Sequence, residues 1–213
     1  QCIVISVDYR LAPDTKFPGP ADDCWAATTW AVNNAAAING DPSQLAVGGD
    51  SAGGNLAAAM SLMAADRGGP EIALQVLIYP VTDVNFNTVS YNDNAEGYSL
   101  TKVGMQWYWE HYLANQEDAS NPYAAPMQAK SLVGQPPALV ITAEYDPLRD
   151  EGEAYAKRLS EAGVATTATR YDGVIHGFFS MAAVVDKSQQ AVDEASAALR
   201  NAFSKAGSPS AAD

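Results

Sequence analysis

Two cysteines and two histidines are all that this sequence of 213 residues contains, and Lys and Arg together number 12 against 25 Asp and Glu. Two cysteines, Cys2 and Cys24, build neither a disulfide framework nor a metal-binding set. Cys24 sits in an apolar helical pattern and reads as a small buried side chain. The shortage of basic residues leaves a formal charge of −13. A surface of that sign repels phosphate backbones and anionic headgroups, so neither nucleic acid nor a membrane surface is expected as a partner. No run reaches the roughly 18 apolar residues that a membrane-spanning helix needs. A basic stretch leading into a hydrophobic one is also lacking at the first residues, so no signal peptide is visible and a cytoplasmic location is the default expectation.

What is present is an ordinary globular composition, with 47% hydrophobic and 17% charged residues. The length suits one domain, expected over residues 1–206, with a disordered tail over 207–213. The β-branched run Cys2 to Tyr9 predicts a strand buried on both faces. Ala21 to Asn39 predicts a helix whose buried face carries Trp25, Ala26, Thr29, Trp30 and Val32. Short apolar strands are predicted over Gln44 to Gly49, Ala73 to Tyr79 and Pro137 to Ala143, and an alternating one over Ala165 to Tyr171. Between and after them lie predicted helices over Asn55 to Asp66, Lys102 to Ala114, Asp150 to Ala162 and Ser188 to Ala206. Thr82 to Gln135 is otherwise patternless. Strand and helix alternate, which predicts an α/β protein with a mostly parallel sheet flanked by helices.

The chemistry concentrates at Gly48-Gly49-Asp50-Ser51-Ala52-Gly53-Gly54. A serine hydroxyl is a weak nucleophile at neutral pH and needs a base, a group that orients the base, and donors for the oxyanion. Gly-x-Ser-x-Gly between a strand and a helix makes a sharp corner that lifts the hydroxyl clear of the strand end. Gly49 and Gly53 are expected to be glycine because side chains there would clash. The Ala52 N–H, at the helix start, points to the same place and is the expected oxyanion donor.

With two histidines, the base is a choice between His111 and His176. His111 lies in the aromatic segment Trp107 to Leu113 and suits a packing or surface role. His176, in Val174-Ile175-His176-Gly177-Phe178-Phe179, follows a predicted strand and is favoured. The orienting acid should fall between serine and histidine in the chain. Asp146 follows the strand ending at Ala143, where open α/β sheets gather their sites. It is favoured over Asp150 and Glu144, although an Asp there could equally cap the helix that follows.

Four segments, Val7 to Pro13, Gly49 to Asn55, Asp146 to Gly152 and His176 to Phe178, resemble the bacterial hormone-sensitive-lipase-like carboxylesterases in the right order. The resemblance spans residue 3 to about residue 205. It implies an α/β-hydrolase fold, hydrolysis of short-chain acyl esters through an acyl-serine, and no cofactor or metal. It also implies Ser51 as nucleophile, His176 as base, Asp146 as orienter and a small-molecule ester as substrate. A deacetylase, an amidase, or a non-catalytic binding protein on the same fold are the alternatives. Members of that family often dimerise through their last strand, which would be Ala165 to Tyr171 here, an open sheet edge.

The departure from the family is at the other end. Its members carry a cap and a His-Gly-Gly-Gly segment ahead of the strand that opens this sequence, and neither is found in these residues. The fold is therefore expected to be N-terminally incomplete. The strand of that segment would lie between those at Ile3 to Asp8 and Gln44 to Gly49, so the sheet should show a gap or the two should pair anew. Loss of a single oxyanion donor typically costs ~10²–10³ in rate, so a crippled catalyst is one expectation.

Overall fold

A computed structural model describes residues 2–206, and the side chains of residues 2–204. The tail expected over 207–213 lies outside the described residues. Four strands form one parallel sheet in the order β1 (Ala46–Asp50), β2 (Leu74–Ile78), β3 (Ala138–Tyr145) and β4 (Thr166–Ile175). The helices are α1 (Gly19–Asn33), α2 (Ala52–Arg67), α3 (Val89–Asp93), α4 (Lys102–Tyr112), α5 (Arg149–Glu161) and α6 (Asp186–Ala206).

Side-chain alternation on the central strands sorts the helices onto two faces. Leu77, Ala138 and Val140 face α2 and α5, meeting Ala57, Ala58, Leu62, Tyr155, Ala156 and Leu159. Leu74, Val76, Ile78, Leu139 and Ile141 face the other way and meet Ala191 and Ala195 of α6. A third cluster joins α1 to α2 and to the connection between β2 and β3, through Phe17, Cys24, Leu56, Met60, Met63, Tyr91, Met105 and Trp109. Both central strands are covered on both faces, and that is why they read as continuous apolar runs. Alanines along α2 let it lie close to the sheet. Gly68, left-handed at φ 76°, ends that helix with its N–H on the Ala64 carbonyl.

Two expectations fail here. Residues 2–10 form no strand among the described residues, and Ile3, Val4 and Ile5 are exposed, Val4 to 82%. They do not pair with β1, whose outer edge meets no other strand among the described residues, so the sheet ends at β1 and shows neither a gap between two strands nor a new pairing. β-branched residues favour a strand through packing against neighbours in a ladder, and this segment joins none. The segment is anchored at its far end instead. Val7 and Tyr9 pack against the third cluster. Arg10 forks onto Asp23 of α1, with Nε to Oδ2 at 2.8 Å and Nη2 to Oδ1 at 2.7 Å. The hydrogen bond from Arg10 draws the Asp23 carboxyl down to about 2.

The second failure concerns α1, which stops at Asn33 and continues as a short 3₁₀ turn, Ala35–Ile38. Its buried residues are Pro20, Ala21 and Cys24, whereas Ala26 and Trp30 are exposed. Trp25 does pack against the third cluster, but Trp30 is on the wrong stripe, since α2 takes the small side chains of Ala21 and Cys24 against it. Elsewhere the differences are at element ends, apart from α3 and the short 3₁₀ segments Gln116–Ser120, Pro126–Gln128 and Phe178–Ser180, which the sequence pattern does not predict. β4, the strand on which the resemblance places a dimer contact, is the outer strand of the sheet. No described helix is long and apolar enough to cross a membrane.

Candidate active site

The corner between β1 and α2 is a single residue wide. Asp50 ends the strand, Ala52 begins the helix, and Ser51 turns between them at φ 54° and ψ −114°. A non-glycine residue at positive φ is strained by about 1–3 kcal/mol and persists only where its surroundings fix it. They do so here through backbone bonds. Ser51 N donates to the Ile78 carbonyl at 2.9 Å, and the Ser51 carbonyl accepts from Asn55 N at 3.0 Å and Val81 N at 3.3 Å. Buried Asn55 bridges this corner outward, its amide donating to the carbonyls of Val81 and Ala124.

The glycines divide differently from expectation. A Cβ on Gly49 would sit 2.5 Å from the Gly53 backbone, so Gly49 is required as proposed. A Cβ on Gly53 meets no atom within 4 Å, and the expected clash at that position is therefore incorrect. The second tight glycine is Gly54, where a Cβ would lie 2.9 Å from Pro80 and 3.2 Å from the Gly49 carbonyl oxygen. Gly53 points away from the sheet, and Gly54 points into the contact between α2 and the exit of β2.

His176 follows the last residue of β4, and Gly177, at φ 86°, turns the chain into a short 3₁₀ segment, Phe178–Ser180. The ring of Tyr79, the residue after β2, lies 4.5 Å from the imidazole, and Tyr79 also meets buried Phe178 edge-on at 5.9 Å. Tyr79 thus walls one side of the imidazole, with Phe178 behind it. Burial, with Asp50 adding its charge, pushes the Tyr79 hydroxyl up from its ordinary value, so the phenol is neutral.

Asp146 lies in the turn between β3 and α5 and is fully buried. One carboxylate oxygen, Oδ2, lies 2.7 Å from His176 Nδ1, and the other accepts from Leu148 N at 2.9 Å. On the opposite side of the ring, Nε2 lies 3.0 Å from Ser51 Oγ. Ser51, His176 and Asp146 thus form one hydrogen-bonded line. The rival residues are elsewhere. Asp150 accepts from Ser90 N at 2.7 Å, and Glu144 accepts from Gly173 N at 2.6 Å. His111, on α4, bonds the Trp107 carbonyl through Nδ1 at 2.8 Å and stacks on the Trp107 ring at 4.1 Å. Ala52, as the first residue of α2, has an N–H with no acceptor inside its own helix.

The acid turn is braced by residues that the sequence did not single out. Ser90 of α3 donates its hydroxyl to the Pro147 carbonyl at 2.7 Å, and its own N–H goes to Asp150. Glu151 is buried and accepts from Thr82 N at 2.6 Å and Asp83 N at 3.2 Å. A buried polar side chain inside a helical pattern was the available signal, but polarity alone looks like a solvated helix face.

Comparison with known proteins places this geometry. Residues 1–180 match the model of a family described as having the alpha/beta hydrolase fold. The chain belongs to that family. It is 41% identical over 207 residues to the carboxylesterase NlhH of Mycobacterium tuberculosis, covering 95% of this chain and 65% of that protein. It is 44% identical over 179 residues to an arylesterase of Saccharolobus solfataricus, covering 84% of this chain and 58% of that protein. The crystal structure of EstE1, a thermostable carboxylesterase cloned from a metagenomic library, superposes with a TM-score of 0.89 at 44% identity, covering 92% of this chain and 67% of that one. This α/β-hydrolase chain spans about two thirds or less of the length of these curated relatives.

The two glycines give a direct check on the corner. Gly54→Ala is expected to destabilise the fold and slow any reaction at Ser51. Gly53→Ala should be neutral or stabilise by up to about 1 kcal/mol, since Ala is the better helix former. Urea unfolding of both variants measures this, and equal losses would contradict the assignment.

Glu151 supplies a second expectation. Burial, helped by Asp83 and Asp146 and opposed by the two N–H groups, pushes its carboxyl from 4.5 up to about 8. Between those values the folded chain holds a proton that the unfolded chain has released. This contribution to stability is complete below about 4.5 and is lost as the pH rises through about 8. Melting temperatures measured from pH 5 to 8.5 should therefore fall more steeply for the wild-type chain than for Glu151→Gln. Parallel curves would contradict the shift.

Proposed function

We propose that this chain carries the catalytic machinery of a serine carboxylesterase that hydrolyses short-chain acyl esters through an acyl-serine intermediate. The observation that carries this reading is the line from Ser51 Oγ to His176 Nε2 at 3.0 Å and from His176 Nδ1 to Asp146 Oδ2 at 2.7 Å, built on a serine held at positive φ. Relatives named as a carboxylesterase and an arylesterase support it.

The bonding sets the tautomer. Buried Asp146 accepts from Nδ1–H, which leaves the Nε2 lone pair facing the serine hydroxyl. His176 then takes the proton as Ser51 Oγ attacks the ester carbonyl carbon. The negative charge develops on the carbonyl oxygen, where the Ala52 N–H and the start of α2 stabilise it. Asp146 stabilises the imidazolium without itself taking the proton. As the tetrahedral intermediate collapses, Nε2–H passes its proton to the departing alkoxide, which leaves as the alcohol. A water molecule, deprotonated by the same nitrogen, attacks the acyl-serine, and the acid leaves as Ser51 recovers its proton. A second oxyanion donor is implied by the resemblance, from a His-Gly-Gly-Gly segment that these residues do not include.

Turnover of p-nitrophenyl acetate, butyrate and octanoate tests the reading. Ser51→Ala and His176→Ala should each lose at least about 10³-fold in kcat/KM, whereas His111→Ala should retain most activity. Rates should fall from butyrate to octanoate. Unchanged turnover in Ser51→Ala would overturn the assignment.

A further inference from the structure

The three residues of the proposed triad sit on three separate strand exits. Ser51 follows β1, Asp146 follows β3 and His176 follows β4. The exit of β2, residues 79–83, contributes no reacting group, yet it touches two of the three. Val81 N donates to the Ser51 carbonyl at 3.3 Å, Pro80 fills the space against Gly54, and Tyr79 packs on the His176 ring. Any drift of this segment displaces the nucleophile and the base together.

Its tie to the acid side is Glu151. One carboxyl oxygen accepts from both Thr82 N and Asp83 N, at 2.6 and 3.2 Å, while the residue itself opens α5, five positions after Asp146. Next to it, Gly152 leaves room for the Thr142 methyl, which a Cβ would approach to 3.2 Å, and lies against the Pro80 ring. The other carboxyl oxygen and the Tyr91 hydroxyl of α3 are both buried, and each is the other's polar neighbour. Asp83, Asp146 and Tyr91 are the titratable groups whose charge or hydrogen bonding is felt between Glu151 and its surroundings, and none of them is a cation. A carboxyl kept there without a cation is costly. If the residue served only to fill space, a leucine would fill it at less cost. What it supplies is an acceptor for two backbone N–H groups, that of Thr82 buried and that of Asp83 partly so.

We infer that Glu151 is a positioning residue, a clamp that locks the β2 exit to the acid turn and so sets Ser51, His176 and Asp146 in register. This rests on the reading of those three residues as the triad. The clamp works through its acceptor oxygen, so a glutamine, which keeps an acceptor at the same reach, should replace it. Aspartate, one methylene shorter, should not.

Two measurements test it on the chain as it stands. The first is the second-order rate of Ser51 modification by diethyl p-nitrophenyl phosphate. The second is the far-downfield proton resonance of the His176–Asp146 hydrogen bond, which needs no turnover. Glu151→Gln should hold the modification rate within about threefold and keep the resonance. Glu151→Asp and Glu151→Ala should lower the rate by roughly 10- to 100-fold, which at 1.36 kcal/mol per decade is the size expected for stranded buried donors. Both should shift or broaden the resonance while the far-UV spectrum stays that of the wild type. Should Glu151→Ala fail to fold, Glu151→Asp carries the test. Wild-type rate and resonance in a folded Glu151→Asp would overturn the clamp, and so would a glutamine variant as impaired as the aspartate. A wild-type chain that shows the resonance but resists modification would count against the esterase reading and leave the resonance arm to decide on Glu151.

Discussion

Strand β1 ends at Asp50 and helix α2 begins at Ala52, which leaves one residue to reverse the direction of the chain. Much of the molecule can be read as the set of contacts that keep Ser51 in that strained turn. Gly49 must lack a side chain because the Gly53 backbone occupies its place, and Gly54 must lack one because Pro80 does. The alanines of α2 allow the helix to follow so closely. Parallel pairing of β1 with β2 puts the Ile78 carbonyl where the Ser51 N–H needs it. Packing, not local preference, holds the residue at φ 54°.

The acid side is organised differently. Asp146 is wholly buried. The Leu148 N–H and the His176 imidazole occupy its two oxygens, so the charge the proposed reaction needs has donors on both. Around it, α3 and the start of α5 exchange bonds through Ser90, Pro147 and Asp150, and Glu151 reaches across to the β2 exit. The stretch after β2, which carries no catalytic motif, turns out to brace the turn that bears the acid.

How much of this could be read from the sequence follows from how local each signal is. β2 and β3 were legible because they are covered on both faces and so are continuously apolar. The serine corner was legible because a strand, two glycines and a small-residue helix fall within a few positions of one another. His176 could be chosen because its competitor sits in an aromatic helix. The β-branched run at Ile3 to Ile5 misled for the opposite reason. Its residues prefer a strand, but a strand exists only when paired, and this segment joins no ladder. Trp30 misled because size was taken for burial, whereas α2 accepts Ala21 and Cys24. Glu151 and Gly54 were invisible in their roles, since each depends on contacts between segments far apart in the chain.

In the proposed mechanism the line through Asp146 and His176 makes Ser51 more nucleophilic than every other serine of the chain. Intact-mass and peptide mapping of the chain after reaction with a fluorophosphonate tests it most directly. A single adduct is expected, on Ser51, and none after heat unfolding. Adducts spread over several serines, or formed equally well in the unfolded chain, would contradict it.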